Sequence, residues 1–254
     1  MSEELILYDL PSQQGRCWNM NVWKGKHIAA SIISSARLSL NYKGLPYRTE
    51  WTEYVDLKNK LSSLGCPPNP PGTNYVDYSS PAARFPDGTY AMDSLRIAHA
   101  LEELQPEPSL HLDNGYVDRV FKTIMATHGA LAPNAVVRLP IKVLRPASQE
   151  YFRTTRGKRF GMSLEELAKS DKAGETAWKA AEPHFNELEA ILAEHDGPYV
   201  MGKTVSFADF IIAGYWRMLQ ILDEGGDLYD RMMKVDASFP KHHEACKQWL
   251  ERDD

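Results

Sequence analysis

The serine–proline pair Ser80-Pro81 stands just before a short stretch that reads as a strand, Ala82 to Phe85, and a bond of this kind ahead of a strand is a candidate cis peptide. Asp93-Ser94 stands at the start of a helical pattern, where free N–H groups and the positive end of the helix dipole favour an anionic group. The same two residues would also serve as an ordinary helix cap. The three cysteines, Cys17, Cys66 and Cys246, lie far apart with no CxxC. So sparse and odd a count argues for a reducing compartment and against a disulfide framework. Arg16 beside Cys17 would favour its thiolate. His242-His243-Glu244 with Cys246 contains potential metal ligands, but the spacing fits no structural zinc pattern and reads as surface helix. Arg153, Arg156, Lys158 and Arg159 form a basic cluster that reads as a solvated loop. There is no Walker loop and no GxGxxG.

Behind these residues stands an ordinary globular composition, 43% hydrophobic and 25% charged, which excludes disorder and collagen-like or coiled-coil bias. Twenty-nine basic against 34 acidic residues leave a net charge of −5, so a nucleic-acid partner is not expected. Residues 1–10 are acidic without a long apolar core, unlike a signal peptide. The most apolar stretch, Phe207 to Leu222, is broken by Asp209 and Arg217 and is too short to span a bilayer. A cytoplasmic protein without a membrane partner is expected.

The two halves of the chain read differently. Leu5 to Leu10 reads as a buried strand, the pattern from Ile28 to Tyr42 as a helix stopped at Gly44, and Pro46 to Tyr54 as a second strand. Residues 65–72 hold four prolines and read as a stiff loop. Ala82 to Phe85 and Tyr90 to Met92 flank the turn Pro86-Asp87-Gly88-Thr89 as a hairpin, and a helix follows from Ser94 to Leu104. Beyond Gln105 the strand signals cease, which predicts domains at residues 1–105 and 106–254, the second all-helical. Its helices are expected at Tyr116 to Leu131, Ser163 to Lys169, Glu175 to His195, Phe207 to Leu222 and His242 to Arg252. Ser163-Leu164-Glu165-Glu166 and Ser206-Phe207-Ala208-Asp209 have the form of capping boxes.

The second of these boxes, preceded by Gly197-Pro198-Tyr199-Val200-Met201-Gly202, resembles the core helix start of cytosolic glutathione transferases. Ser80-Pro81-Ala82, Phe85, Asp87-Gly88 and Met92-Asp93-Ser94 resemble the glutathione-binding half of that family. Leu7-Tyr8-Asp9-Leu10, Gly15-Arg16-Cys17-Trp18, Asn21-Val22-Trp23-Lys24 and Leu40-Asn41-Tyr42-Lys43-Gly44 are similar to the fungal etherase-like (FuA) class. Such motifs in order over nearly the whole chain are specific where each alone is weak. The resemblance implies α/β plus all-α architecture, a thioredoxin-like domain followed by a helical one, and a homodimer. It also implies glutathione as a substrate, electrophilic aromatic small molecules as its partners in reaction, and no metal.

On the same resemblance, Ser80 would pair its backbone with the extended tripeptide beside Pro81. The helix start at Asp93 and Ser94 would receive the γ-glutamyl carboxylate, with Ser94 a donor and Asp93 facing the ammonium. Tyr116, Met125 and His128 would line the hydrophobic site. At the thiol the family's serine and proline are replaced by Asn19 and Met20, so that Asn19 and Asn21 offer amide donors instead of a hydroxyl. Three readings follow: a glutathione transferase joining glutathione to aromatic electrophiles, a glutathione-binding ligandin with weak catalysis, or a cysteine-type lyase or thiol transferase using Cys17. Residues 25–35 are an extra segment relative to the family, expected as a loop or a separate helical piece.

Overall fold

The computed structural model describes residues 4–13, 35–71 and 76–252. Cys17, Asn19, Asn21 and residues 25–34 of the extra segment lie outside the described residues, and Ser35 opens the first helix. Strand β1 (Leu5–Asp9) is apolar on both faces, as suits the interior of a sheet. Helix α1 (Ser35–Lys43) carries the chain to β2 (Tyr47–Trp51), which lies parallel to β1 with Leu5 opposite Tyr47 and Asp9 opposite Trp51. A short α2 (Leu57–Ser63) follows, where no helix is expected from sequence; it buries only Leu57 and Leu61, too little periodicity to announce itself.

The hairpin of β3 (Ala82–Arg84) and β4 (Tyr90–Met92) joins on the other side of β1, giving a mixed sheet in the order β2-β1-β3-β4. Its turn closes through Phe85 N–H to the Thr89 carbonyl at 2.9 Å, and the Asp87 carboxylate accepts from Thr89 N–H at 2.9 Å. Helix α3 (Ser94–Leu104) returns over the sheet with Ile97, Ala98 and Leu101 buried.

From there every regular element among the described residues is helical: α4 (Tyr116–Ala135), α5 (Leu139–Lys142), α6 (Pro146–Phe160), α7 (Leu164–Ala168), α8 (Glu175–Ala193), α9 (Phe207–Leu222), α10 (Tyr229–Met232) and α11 (Ser238–Leu250). α9 is apolar on most of its circumference, with Phe207, Phe210, Tyr215, Trp216 and Leu219 buried, because α4, α11 and α1 all pack on it. The contact with α1 makes α9 the seam between the sheet and the helical bundle. No helix among the described residues is long and apolar enough to cross a membrane.

Two expectations are corrected. The basic cluster is not a loop: Arg153, Arg156, Lys158 and Arg159 lie on α6, which escaped notice because it buries only Ser148 and Phe152. There Arg153 pairs with Glu165, and the Arg156 guanidinium sits 4.5 Å from the centre of the Phe152 ring. Nor are the paired histidines at the surface. His242 and Cys246 are fully buried on α11, and His242 Nε2 lies 3.2 Å from the Asp209 carboxylate. A histidine that closes a buried ion pair leaves the same polar letters in the sequence as one facing water.

Candidate functional site

The sheet places the predicted binding residues in one corner. Ala82 pairs with Met92 across the hairpin, so the residues before β3 and after β4 must emerge side by side. Asp93 N–H donates to the Pro81 carbonyl at 3.0 Å, which ties the Ser80-Pro81 loop to the start of α3. The Ser80–Pro81 peptide is cis. Ser80, Pro81, Asp93 and Ser94, read from separate stretches of sequence, are thus adjacent.

Asp93 turns the chain into α3 with φ of 81°, a left-handed backbone that a side chain adopts at some cost. Its carboxylate accepts Leu95 N–H at 2.8 Å, a true N-cap bond. Burial pushes this carboxyl up to about 6, against the smaller pull of the Leu95 and Arg96 N–H groups and the Arg96 charge. Ser94 is buried next to it, and its Oγ has no hydrogen-bond partner among the described residues. A buried hydroxyl left unsatisfied at a helix N-terminus is what a site for an external acceptor requires.

Beneath the corner lies a polar group that sequence reasoning missed. Asp9, fully buried at the end of β1, accepts Leu10 N–H at 2.9 Å and Arg37 Nη2 at 3.1 Å, and Ser80 Oγ lies 3.4 Å from its Oδ1. A charge at the end of an apolar strand, matched by Arg37 between Ala36 and Leu38, was the signal available.

Of the three residues assigned to a hydrophobic site, Met125 and His128 lie one turn apart on the same side of α4, while Tyr116 stands away from them. Tyr116 and Met125 lie about two and a half turns apart on α4, hence on opposite sides of it. The Tyr116 hydroxyl donates to Glu194 at 2.7 Å and lies 2.9 Å from His195 Nε2, tied to the end of α8. His128 is fully buried with its ring edge-on to Tyr215 at 6.2 Å, and burial, helped by the Arg159 charge, drives its pKa down to about 3. It is a neutral packing residue of the α4–α9 contact. Met125 is half-buried. A groove of about 320 Å³ where α1 meets α11, lined by Leu40, Asn41, Leu45 and Arg252, contains none of these residues. Among the described residues no cluster of His, Cys, Asp or Glu is arranged to hold a metal ion.

A mixed sheet with a cis-proline loop beside a helix start, followed by a helical bundle, defines a thioredoxin-like domain joined to the helical domain of glutathione transferases. Residues 117–249 match the family described as glutathione S-transferase, C-terminal domain, and the chain belongs to the glutathione S-transferase family. A glutathione S-transferase-like protein, ustS, of Aspergillus flavus is 27% identical over 243 residues, covering 87% of this chain and 85% of that protein. The solved structure of glutathione transferase GSTFuA3 from Phanerochaete chrysosporium is 28% identical with a TM-score of 0.78, covering 100% of both chains. That of CsGST83044 of Ceriporiopsis subvermispora, in complex with glutathione, is 25% identical with a TM-score of 0.75, covering 99% of both. The FuA resemblance of the sequence therefore holds at the level of structure.

Proposed function

We propose that the protein is a glutathione transferase that joins glutathione to electrophilic aromatic small molecules, with the tripeptide held by the first domain, residues 1–105, and the electrophile beside the second, residues 106–254. The observation that carries this reading is the unpartnered Ser94 hydroxyl at the start of α3, fastened through Asp93 to the cis-proline loop. In it, Ser80 pairs its backbone with the extended peptide, Ser94 and the α3 N–H groups receive the γ-glutamyl carboxylate, and Asp93 faces the ammonium. That binding energy fixes the sulfur near Asn19 and Asn21, whose amides stabilise the thiolate. The complex of CsGST83044 with glutathione supports the ligand, since that relative shares the fold over its whole length.

Met125 is the α4 side chain assigned to the aromatic partner; Tyr116 and His128 are engaged elsewhere. We further assign the protein to the cytoplasm as a homodimer, which sedimentation tests. The second reading, a ligandin, draws on the replacement of a serine hydroxyl by Asn19. Calorimetry with glutathione, followed by steady-state turnover with an aryl halide, separates the two. Binding with turnover supports the transferase, binding without it supports the ligandin, and no binding refutes both. In the transferase, Asn19→Ser raises turnover near neutral pH by restoring a hydroxyl donor at the sulfur.

A further inference from the structure

We infer that Asp9 is a positioning residue for glutathione: with Arg37 it holds the Ser80-Pro81 loop from beneath, so that the Ser80 backbone is kept in register for the ligand. The inference rests on the glutathione reading above.

Asp9 is fully buried, and each carboxylate oxygen has a separate task. Oδ2 takes the Arg37 guanidinium at 3.1 Å, while Oδ1 takes Leu10 N–H at 2.9 Å and faces Ser80 Oγ at 3.4 Å. Its own carbonyl accepts Thr52 N–H at 2.9 Å, so the exit of β2 fixes the Asp9 main chain as well. Arg37 is equally enclosed, with 2% of its side chain exposed. Its Nη1 donates to Thr49 Oγ1 at 3.1 Å, and its guanidinium lies 5.3 Å from the centre of the Trp51 ring. α1, β1 and β2 therefore meet at one ion pair, directly under the loop.

A buried ion pair of this kind is weak evidence for stability, because apolar replacements of similar volume often do as well. Its value lies in direction. An apolar knot would fill the space, but it would take the Asp9 acceptor away from Ser80. Ser80 Oγ also lies 3.5 Å from the Tyr8 carbonyl, so the side chain is turned toward β1 and shared between two long contacts. With the side chain occupied below, the contribution of Ser80 to a ligand is its peptide groups. The anchorage passes onward through the Pro81 carbonyl to Asp93 N–H, and from there to Ser94.

The test compares wild type, Ser80→Ala, Asp9→Asn and the double variant by calorimetry with glutathione, with thermal unfolding and steady-state kinetics alongside. Ser80→Ala leaves the ion pair intact and is expected to weaken glutathione binding about fivefold with little change in the unfolding midpoint. Its KM for glutathione rises more than its kcat falls, a split that a purely structural defect does not produce. Asp9→Asn weakens binding at least as much, and the double variant loses less than the product of the two single losses, since both act in part through one contact. Ser80→Ala binding within twofold of wild type overturns the inference, and should Asp9→Asn not fold, that variant alone decides it. Failure of the wild type to bind glutathione refutes the underlying reading instead.

Discussion

At the scale of single residues, the proposed function divides the recognition of one zwitterionic end of glutathione between Ser94 and Asp93. Ser94 Oγ has no partner among the described residues, so in that reading Ser94→Ala removes a hydrogen bond to the ligand without breaking an internal one. The expected loss is about 1.5–3 kcal/mol, a roughly ten- to hundredfold rise in the calorimetric Kd, with unfolding unchanged. Asp93 makes a pH prediction. Its folded pKa of about 6 lies above the ordinary carboxyl value of 3.8, so ionisation costs folding stability. The contribution of the bound proton is fully present below pH 3.8 and is lost as pH rises through 6. Ligand binding runs the other way, because the ammonium needs the ionised form. Glutathione affinity is therefore expected to fall about tenfold per pH unit once pH drops below 6, and Asp93→Asn to be weaker at neutral pH and flat over the same range. Titrations at several pH values read both.

At the scale of elements, the start of α9 is tied through Asp209 to two other parts of the helical bundle. The Asp209 carboxylate accepts Ser206 N–H at 2.7 Å and Val200 N–H at 2.8 Å, and His242 reaches it from α11. Burial opposes protonation of His242, but the neighbouring Cys246 and the Asp209 carboxylate outweigh it and push its pKa up to about 10. A raised histidine contributes fully below its unfolded value of about 6.5 and loses that contribution as pH rises through 10. Thermal stability is thus expected to decline across that window. His242→Phe leaves Asp209 buried without its counter-charge, costs about 3–5 kcal/mol and flattens the decline, as denaturant unfolding at pH 7 and pH 9.5 would show.

At the scale of the whole molecule, Lys43 at the end of α1 fastens the segment that runs from α3 to α4. Its ammonium is buried, donating to the Pro108 carbonyl at 3.0 Å and pairing with Glu102 at 2.7 Å. Glu102 in turn accepts Leu110 N–H at 2.8 Å, so one cation–carboxylate pair gathers the chain between α3 and α4. The pairing holds Glu102 below the ordinary carboxylate range in spite of its partial burial. Lys43→Met is expected to free this linker before it unfolds either half. Limited proteolysis then cuts near residues 105–110 ahead of other sites, while the wild type resists there.

What the sequence determined by itself was local or periodic. The strand–helix–strand opening, the hairpin around Asp87-Gly88, both capping boxes and the cis-proline position are encoded within a few residues of one another, and the structure repeats them. The pairing of Ser80-Pro81 with Asp93-Ser94 was legible too, because a three-residue hairpin strand leaves its flanks no other place to emerge. Helices α2 and α6 were not, since each buries so few side chains that no apolar stripe marks it. Tertiary structure alone decided the roles of isolated polar residues. Asp9 with Arg37, and Asp209 with His242, are partners 28 and 33 residues apart, joined only when separate elements pack. His128 shows the same limit from the other side. A histidine on an apolar helix face reads alike whether it lines a cleft or fills a core, and what surrounds it, here Tyr215 of α9, comes from a part of the chain with no periodic relation to it.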